Sequence, residues 1–169
     1  MTRYLIEQVS LKDLSEMSKL AIDAYATLDE SDKDLYLDGL IQNQYAFSWY
    51  LQGNFELAEK HWKNGLDLHE KISLPDHRAV AWRSYNMGLV TAATERYEEA
   101  IKWYLYAEER WTKSGDETLS CVACLRSQRA QALTFLGRFE EAKACFDFAT
   151  SHLKESKEWG WLALYAFRC

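Results

Sequence analysis

Three stretches of the chain align without a gap at a constant offset of 42 residues: NFELAEKHWKNG (54–65), RYEEAIKWYLYA (96–107) and RFEEAKACFDFA (138–149). Aromatic residues coincide at Phe55, Tyr97 and Phe139, and again at Trp62, Tyr104 and Phe146. Small residues coincide at Ala58, Ala100 and Ala142, at Gly65, Ala107 and Ala149, and upstream at Ala46, Gly88 and Ala130. Such a repeat constrains the fold more than any local propensity. Each copy is one supersecondary unit that must bury its apolar face against the next.

Within each copy the aromatic, alanine, aromatic and small positions are spaced 3, 4 and 3, which is one face of a helix. Small residues let two helix backbones approach, and the aromatics fill the space beside that contact. A turn precedes each stretch at Gly53-Asn54, Glu95-Arg96 and Gly137-Arg138, where glycine supplies the left-handed conformation that ends a helix. Each copy therefore reads as a helical hairpin. Composition agrees: one proline and seven glycines in 169 residues are too few for a loop-rich β-sandwich. With 48% apolar and 27% charged residues, wholesale disorder is excluded.

The spacing predicts an opening helix over 11–28, behind Ser10, with Leu14, Met17, Leu20 and Tyr25 on its apolar face. Hairpins follow over 32–52 with 55–72, 77–94 with 97–113, and 117–136 with 139–156. Ser31 and Asp34, Pro75-Asp76 and Ser114-Gly115-Asp116 supply start and stop signals. A last helix is expected from Glu158.

Over roughly residues 39–156 the pattern resembles the tetratricopeptide repeat family, most fully in the middle copy at Asn86, Met87, Gly88, Tyr97, Ala100, Tyr104 and Ala107. The family's usual period is about 34. The longer one here is similar to the extended repeats of kinesin light chains and of some bacterial and fungal regulators. The resemblance implies an all-α, right-handed α-solenoid of antiparallel helical hairpins, forming a single domain over 1–169. Residues 11–28 would be its N-terminal capping helix, 32–72, 77–113 and 117–156 its repeats, and 158–169 a partial C-terminal helix. Arg126 and Arg129 stand where the family prefers apolar residues.

The resemblance also implies a binding face, because the first helix of each hairpin lines the concave surface of the superhelix. That stripe would contain Leu40, Asn43, Gln44, Phe47 and Tyr50 in the first copy, and Trp82, Tyr85, Asn86 and Leu89 in the second. The third would give Cys124, Ser127, Gln128, Gln131 and Phe135. It offers aromatic faces and amides with almost no charge. Members that grip acidic chaperone tails use a clamp of Lys, Arg and Asn, of which only Asn86 is present; Asn43, Phe47, Cys124 and Gln128 fill the other clamp positions. A protein or peptide with apolar anchors fits better than an acidic tail, with amides of Asn43, Asn86 and Gln131 orienting its backbone.

Chemical motifs are sparse. Cys121 and Cys124 have the spacing of half a zinc site but no second pair and no following histidines. His69-Glu70 opens like a zincin helix and lacks the second histidine. No glycine-rich phosphate loop or nucleophile elbow is present. The pairs Glu98-Glu99 and Glu140-Glu141 open helices, where acids complement the dipole. We expect no metal, no cofactor and no catalysis; a small-ligand or signal-peptide sensing regulator is the alternative, and an enzyme built on the solenoid a more remote one. A net charge of −6 disfavours general binding to nucleic acid or anionic membranes.

The longest apolar run, Trp159–Phe167, is about half a membrane span, and the opening residues lack the apolar core of a secretory signal. With four cysteines confined to the last third, a reducing cytoplasmic setting is expected. That run is apolar on every side, so either further chain covers it or a second copy does; for these 169 residues we expect self-association as a homodimer through residues 158–169.

Overall fold

The computed structural model describes residues 11–29, 34–72, 77–115 and 119–155. They form α1 (Leu11–Ala26), α2 (Leu35–Leu51), α3 (Phe55–Glu70), α4 (His77–Ala93), α5 (Tyr97–Ser114), α6 (Leu119–Phe135) and α7 (Phe139–Glu155). Among the described residues there is no strand; the fold is an all-α helical repeat. The chain divides into two compact units, residues 1–75 and 76–169. In the first, α2 packs against both α3 and α1. In the second, α4 pairs with α5 and α6 with α7, and α5 joins the hairpins by packing on α6. The expected signals at Ser10, Ser31, Pro75-Asp76 and Asp116, and the helix expected from Glu158, lie outside the described residues.

The hairpin turns repeat as faithfully as the helices. Gly53, Glu95 and Gly137, 42 residues apart, all adopt the left-handed conformation, with φ of 77°, 61° and 75°. At each turn the next residue's N–H reaches five residues back, Asn54 to Trp49, Arg96 to Thr91 and Arg138 to Leu133, each at 2.9 Å. The left-handed residue itself bonds three back, to Tyr50, Ala92 and Thr134, at 3.0 Å. These paired bonds satisfy carbonyls that a helix end leaves orphaned. Glu95 holds the conformation without glycine's freedom, so the hydrogen bonds dictate it there. Asp34 caps α2 by accepting from Tyr36 N–H at 2.7 Å, which sets the helix start at Leu35.

The small residues mark the crossings. Ala46 and Ala58 are fully buried between α2 and α3, with Trp62 fully buried one turn along. In the second unit Ala100, Tyr104, Ala107 and Trp111 of α5 form one cluster with Ala81 of α4 and Leu125 of α6. Ile101, on the neighbouring face of α5, joins Ala130, Leu133, Ala142 and Cys145 of the last hairpin. A helix that buries two adjacent faces this way is what allows hairpins to stack. The third copy departs at Phe139, which is 65% exposed: Thr134 stands where Tyr50 covers Phe55 in the first copy.

Ala100→Leu is therefore expected to lower stability in chemical denaturation by about 1–3 kcal/mol. Lys102→Leu, on the exposed face of α5, should change it by no more than about 0.5 kcal/mol. Equal stability of Ala100→Leu and the parent would contradict this packing.

Candidate binding faces on the first helices

Helix α2 contains a single charged residue, Asp38, and is apolar on more sides than one partner helix can cover. One side turns into the hairpin. There Asn43 accepts a hydrogen bond from Trp62 Nε1 at 3.1 Å, and the Tyr50 ring lies 5.6 Å from Phe55 and 5.7 Å from Trp62. The other side carries Leu37, Leu40, Phe47 and Leu51, each 40–45% exposed, with Gln44 exposed among them. Their spacing of 3, 4, 3 and 4 makes one continuous seam. Of the first-copy residues expected to bind, Phe47 faces solvent, whereas Asn43 and Tyr50 help hold the hairpin.

His61 follows the same division. Its Nδ1 meets Gln42 Oε1 at 2.7 Å across the hairpin. Burial, and then the neighbouring Lys60, hold its pKa below the ordinary histidine value. The imidazole is thus a neutral tie between α2 and α3.

On α4, Trp82 is 41% exposed and presents its edge to Trp111 at 5.2 Å and to Tyr85 at 5.9 Å. Tyr85 is half-buried against Tyr104 and Trp111. Asn86 is buried and Leu89 half-buried. On α6, Gln128 and Gln131 are half-buried, and Phe135 is 71% exposed while stacked on Tyr97 at 4.8 Å. The Ser127 hydroxyl and the Gln131 amide nitrogen are sealed from solvent without a hydrogen-bond partner. Within the second unit α4 and α6 touch, so Trp82, Leu89 and the α6 glutamines belong to neighbouring helices.

Arg126 and Arg129 do not open a charged face. Arg126 Nε and Arg129 Nη1 each donate to Glu108 of α5 at 2.7 Å. Arg126 also lies over the Phe148 ring at 3.6 Å, and Arg129 points at Cys145 Sγ from 3.3 Å. The two guanidiniums tie α5, α6 and α7 together, replacing the apolar residues usual at those positions with a charge-assisted bond. The acid pairs are structural too: Glu99 pairs with Arg96 at 3.0 Å and Glu141 with Arg138 at 2.7 Å. Cys121 and Cys124 are half-buried on α6. Among the described residues no three His, Cys, Asp or Glu side chains gather to hold a metal ion.

Sequence spacing did not single out Leu37 and Leu51, which extend the α2 seam, or the groove beside it. Met17, Ser18 and Ala21 of α1 face Leu40, Ile41 and Gln44 of α2 across an open groove of about 310 Å³. The signal was present in the 3-and-4 recurrence of Leu37, Leu40, Gln44, Phe47 and Leu51.

A tetratricopeptide repeat profile matches residues 38–113 and, overlapping them, residues 83–155. Among solved structures the chain is similar to BtubC (BKLC) from P. vanneervenii, at 16% identity with a TM-score of 0.69. That match covers 88% of this chain and 59% of BtubC. The chain is also similar to PlcR of Bacillus thuringiensis, solved in complex with the peptide PapR7 and DNA, at 17% identity with a TM-score of 0.80. It covers 96% of this chain and 56% of PlcR. Likeness at these identities shows the fold, and the chain spans less than two-thirds of either protein. No curated protein matches the sequence.

Proposed function

The chain belongs to the tetratricopeptide repeat family, and we propose that it is a non-catalytic module that binds a protein or peptide on the first helices of its hairpins. One observation carries the reading: large apolar side chains remain in solvent at recurring repeat positions of those helices. Leu40 and Trp82, 42 residues apart, are 40% and 41% exposed. Leu51 and Phe135 share a second position, at 40% and 71%. Exposed rings of this size gain most from a partner that desolvates them, and buried aromatic anchors dominate such interfaces. Gln128, half-buried on α6, supplies an amide beside them for a partner's backbone, whereas Asn86 and the Gln131 amide nitrogen, both expected to orient that backbone, are buried. None of these positions carries a cation, so an acidic tail finds no charge-assisted partner.

A narrower version, a regulator that senses a short peptide, draws support from the likeness to PlcR, which was solved with a peptide bound. The net charge of −6 supports peptide rather than DNA as the ligand of this chain. Among the described residues no helix is long and apolar enough to cross a membrane, and four cysteines confined to the last third of the chain favour a reducing compartment such as the cytoplasm.

Selection from a displayed random-peptide library tests the reading. The selected peptides should share apolar anchors, and Trp82→Ala should weaken their binding by about 2 kcal/mol with the helical circular-dichroism signal intact. Selection of acidic C-terminal tails, or binding indifferent to Trp82 and Phe47, would contradict it.

A further inference from the structure

The groove between α1 and α2 is apolar and open along its length. Met17 and Leu20 of α1 are 66% and 68% exposed, and Leu37, Leu40 and Phe47 of α2 are 45%, 40% and 42% exposed. Exposed apolar rows on two adjacent helices are the receptor half of a helix-in-groove contact. The same chain contains a segment of matching character. From Trp159 to Phe167 it has nine uncharged residues, in which Trp161, Leu164 and Tyr165, followed by Arg168, fall on one helical face.

Charge agrees with apolarity. Residues 11–40 contain eight acids against three lysines, and Asp13, Glu16 and Asp23 are exposed on α1 itself. Lys154, Lys157 and Arg168 bracket the apolar run, against Glu155 and Glu158. Length agrees as well: ten residues docked as a helix span about 15 Å, enough to cover the steps from Met17 to Ala21 and from Leu40 to Gln44 that line the groove.

We propose that residues 159–168 of a second copy occupy the α1–α2 groove, so that two chains exchange these segments reciprocally. The inference rests on the exposed α2 face of the reading above and names its occupant there. Its surface is a docking groove with a defined partner, and an external peptide reaching α2 would compete with the exchanged segment.

Sedimentation velocity of the full chain at tens of micromolar tests this. The parent should self-associate, and Met17→Glu and Leu164→Glu should each return it toward monomer. Mixing the two variants should restore one intact junction and give a one-to-one heterodimer, with an apparent dissociation constant lower than either variant's own by about tenfold or more. A monomeric parent would overturn the proposal. So would a dimer surviving Met17→Glu, since the segment then docks elsewhere, or one surviving Leu164→Glu, since the groove then meets another groove. Failure of the mixture to associate would overturn it too. Unchanged circular dichroism of both variants shows that they fold. Trp82→Ala, in the other unit, should leave self-association unchanged while weakening selected peptides, which separates failure of this proposal from failure of peptide binding.

Discussion

Gly88→Ala is expected to destabilise the protein by about 3 kcal/mol, the upper range for overpacking a well-filled core. Helix propensity alone gives the opposite sign, because alanine in a helix interior is favoured over glycine by about 1 kcal/mol. The aligned positions in the other copies, Ala46 and Ala130, already carry a methyl group and are fully buried. What differs is the neighbour. A Cβ at Gly88 would overlap the Cε1, Cδ1 and Cζ atoms of the Tyr104 ring, and that ring is itself fully buried. It cannot swing away without disturbing Ala81, Trp111 and Leu125, which share its cluster. Urea denaturation of parent and variant measures the difference; equal or greater stability of the variant would show that the α4–α5 crossing is looser than described.

Trp111→Ala should cost more, about 3–5 kcal/mol, since it removes a large buried ring and leaves a cavity that the surroundings fill only in part. Trp111 is 2% exposed and shares its cluster with residues from α4 and α6, so its loss loosens a hairpin and the joint to the next. It also supports Trp82, whose ring meets it edge-on at 5.2 Å. Trp111→Phe should recover much of the stability because an aromatic remains to fill the site. Denaturation midpoints of the three proteins decide the matter, and a Trp111→Ala variant within about 1 kcal/mol of the parent would contradict its place in the core.

The residues that define the repeat were legible because their roles are local to it. A small residue at a helix crossing and an aromatic one turn away recur every 42 residues, and such a period survives any uncertainty about neighbours. Gly53 and Gly137 announced their turns; Glu95 reaches the same conformation through hydrogen bonds that no propensity reveals. The face of each first helix was less legible. Phe47 and Tyr50 are three residues apart on α2, near neighbours on the helix surface, yet one is exposed and the other holds the hairpin. Which way each turns depends on Phe55 and Trp62, side chains of the next helix. Arg126 and Arg129 were opaque for the same reason: their partner Glu108 lies 18 and 21 residues away, on another element.

On the proposed function, partners bind the first helices through exposed, uncharged apolar side chains. Hydroxyl-radical footprinting of the protein with and without a selected peptide tests it most directly, because it reads the side chains themselves. Within the second unit, Trp82 and Phe135 on α4 and α6 should lose reactivity when peptide is bound. Leu105 on α5 and Phe139 on α7, which are 50% and 65% exposed, should keep theirs. Protection of Leu105 and Phe139 with Trp82 and Phe135 unchanged would place the partner on the second helices and contradict the proposed function.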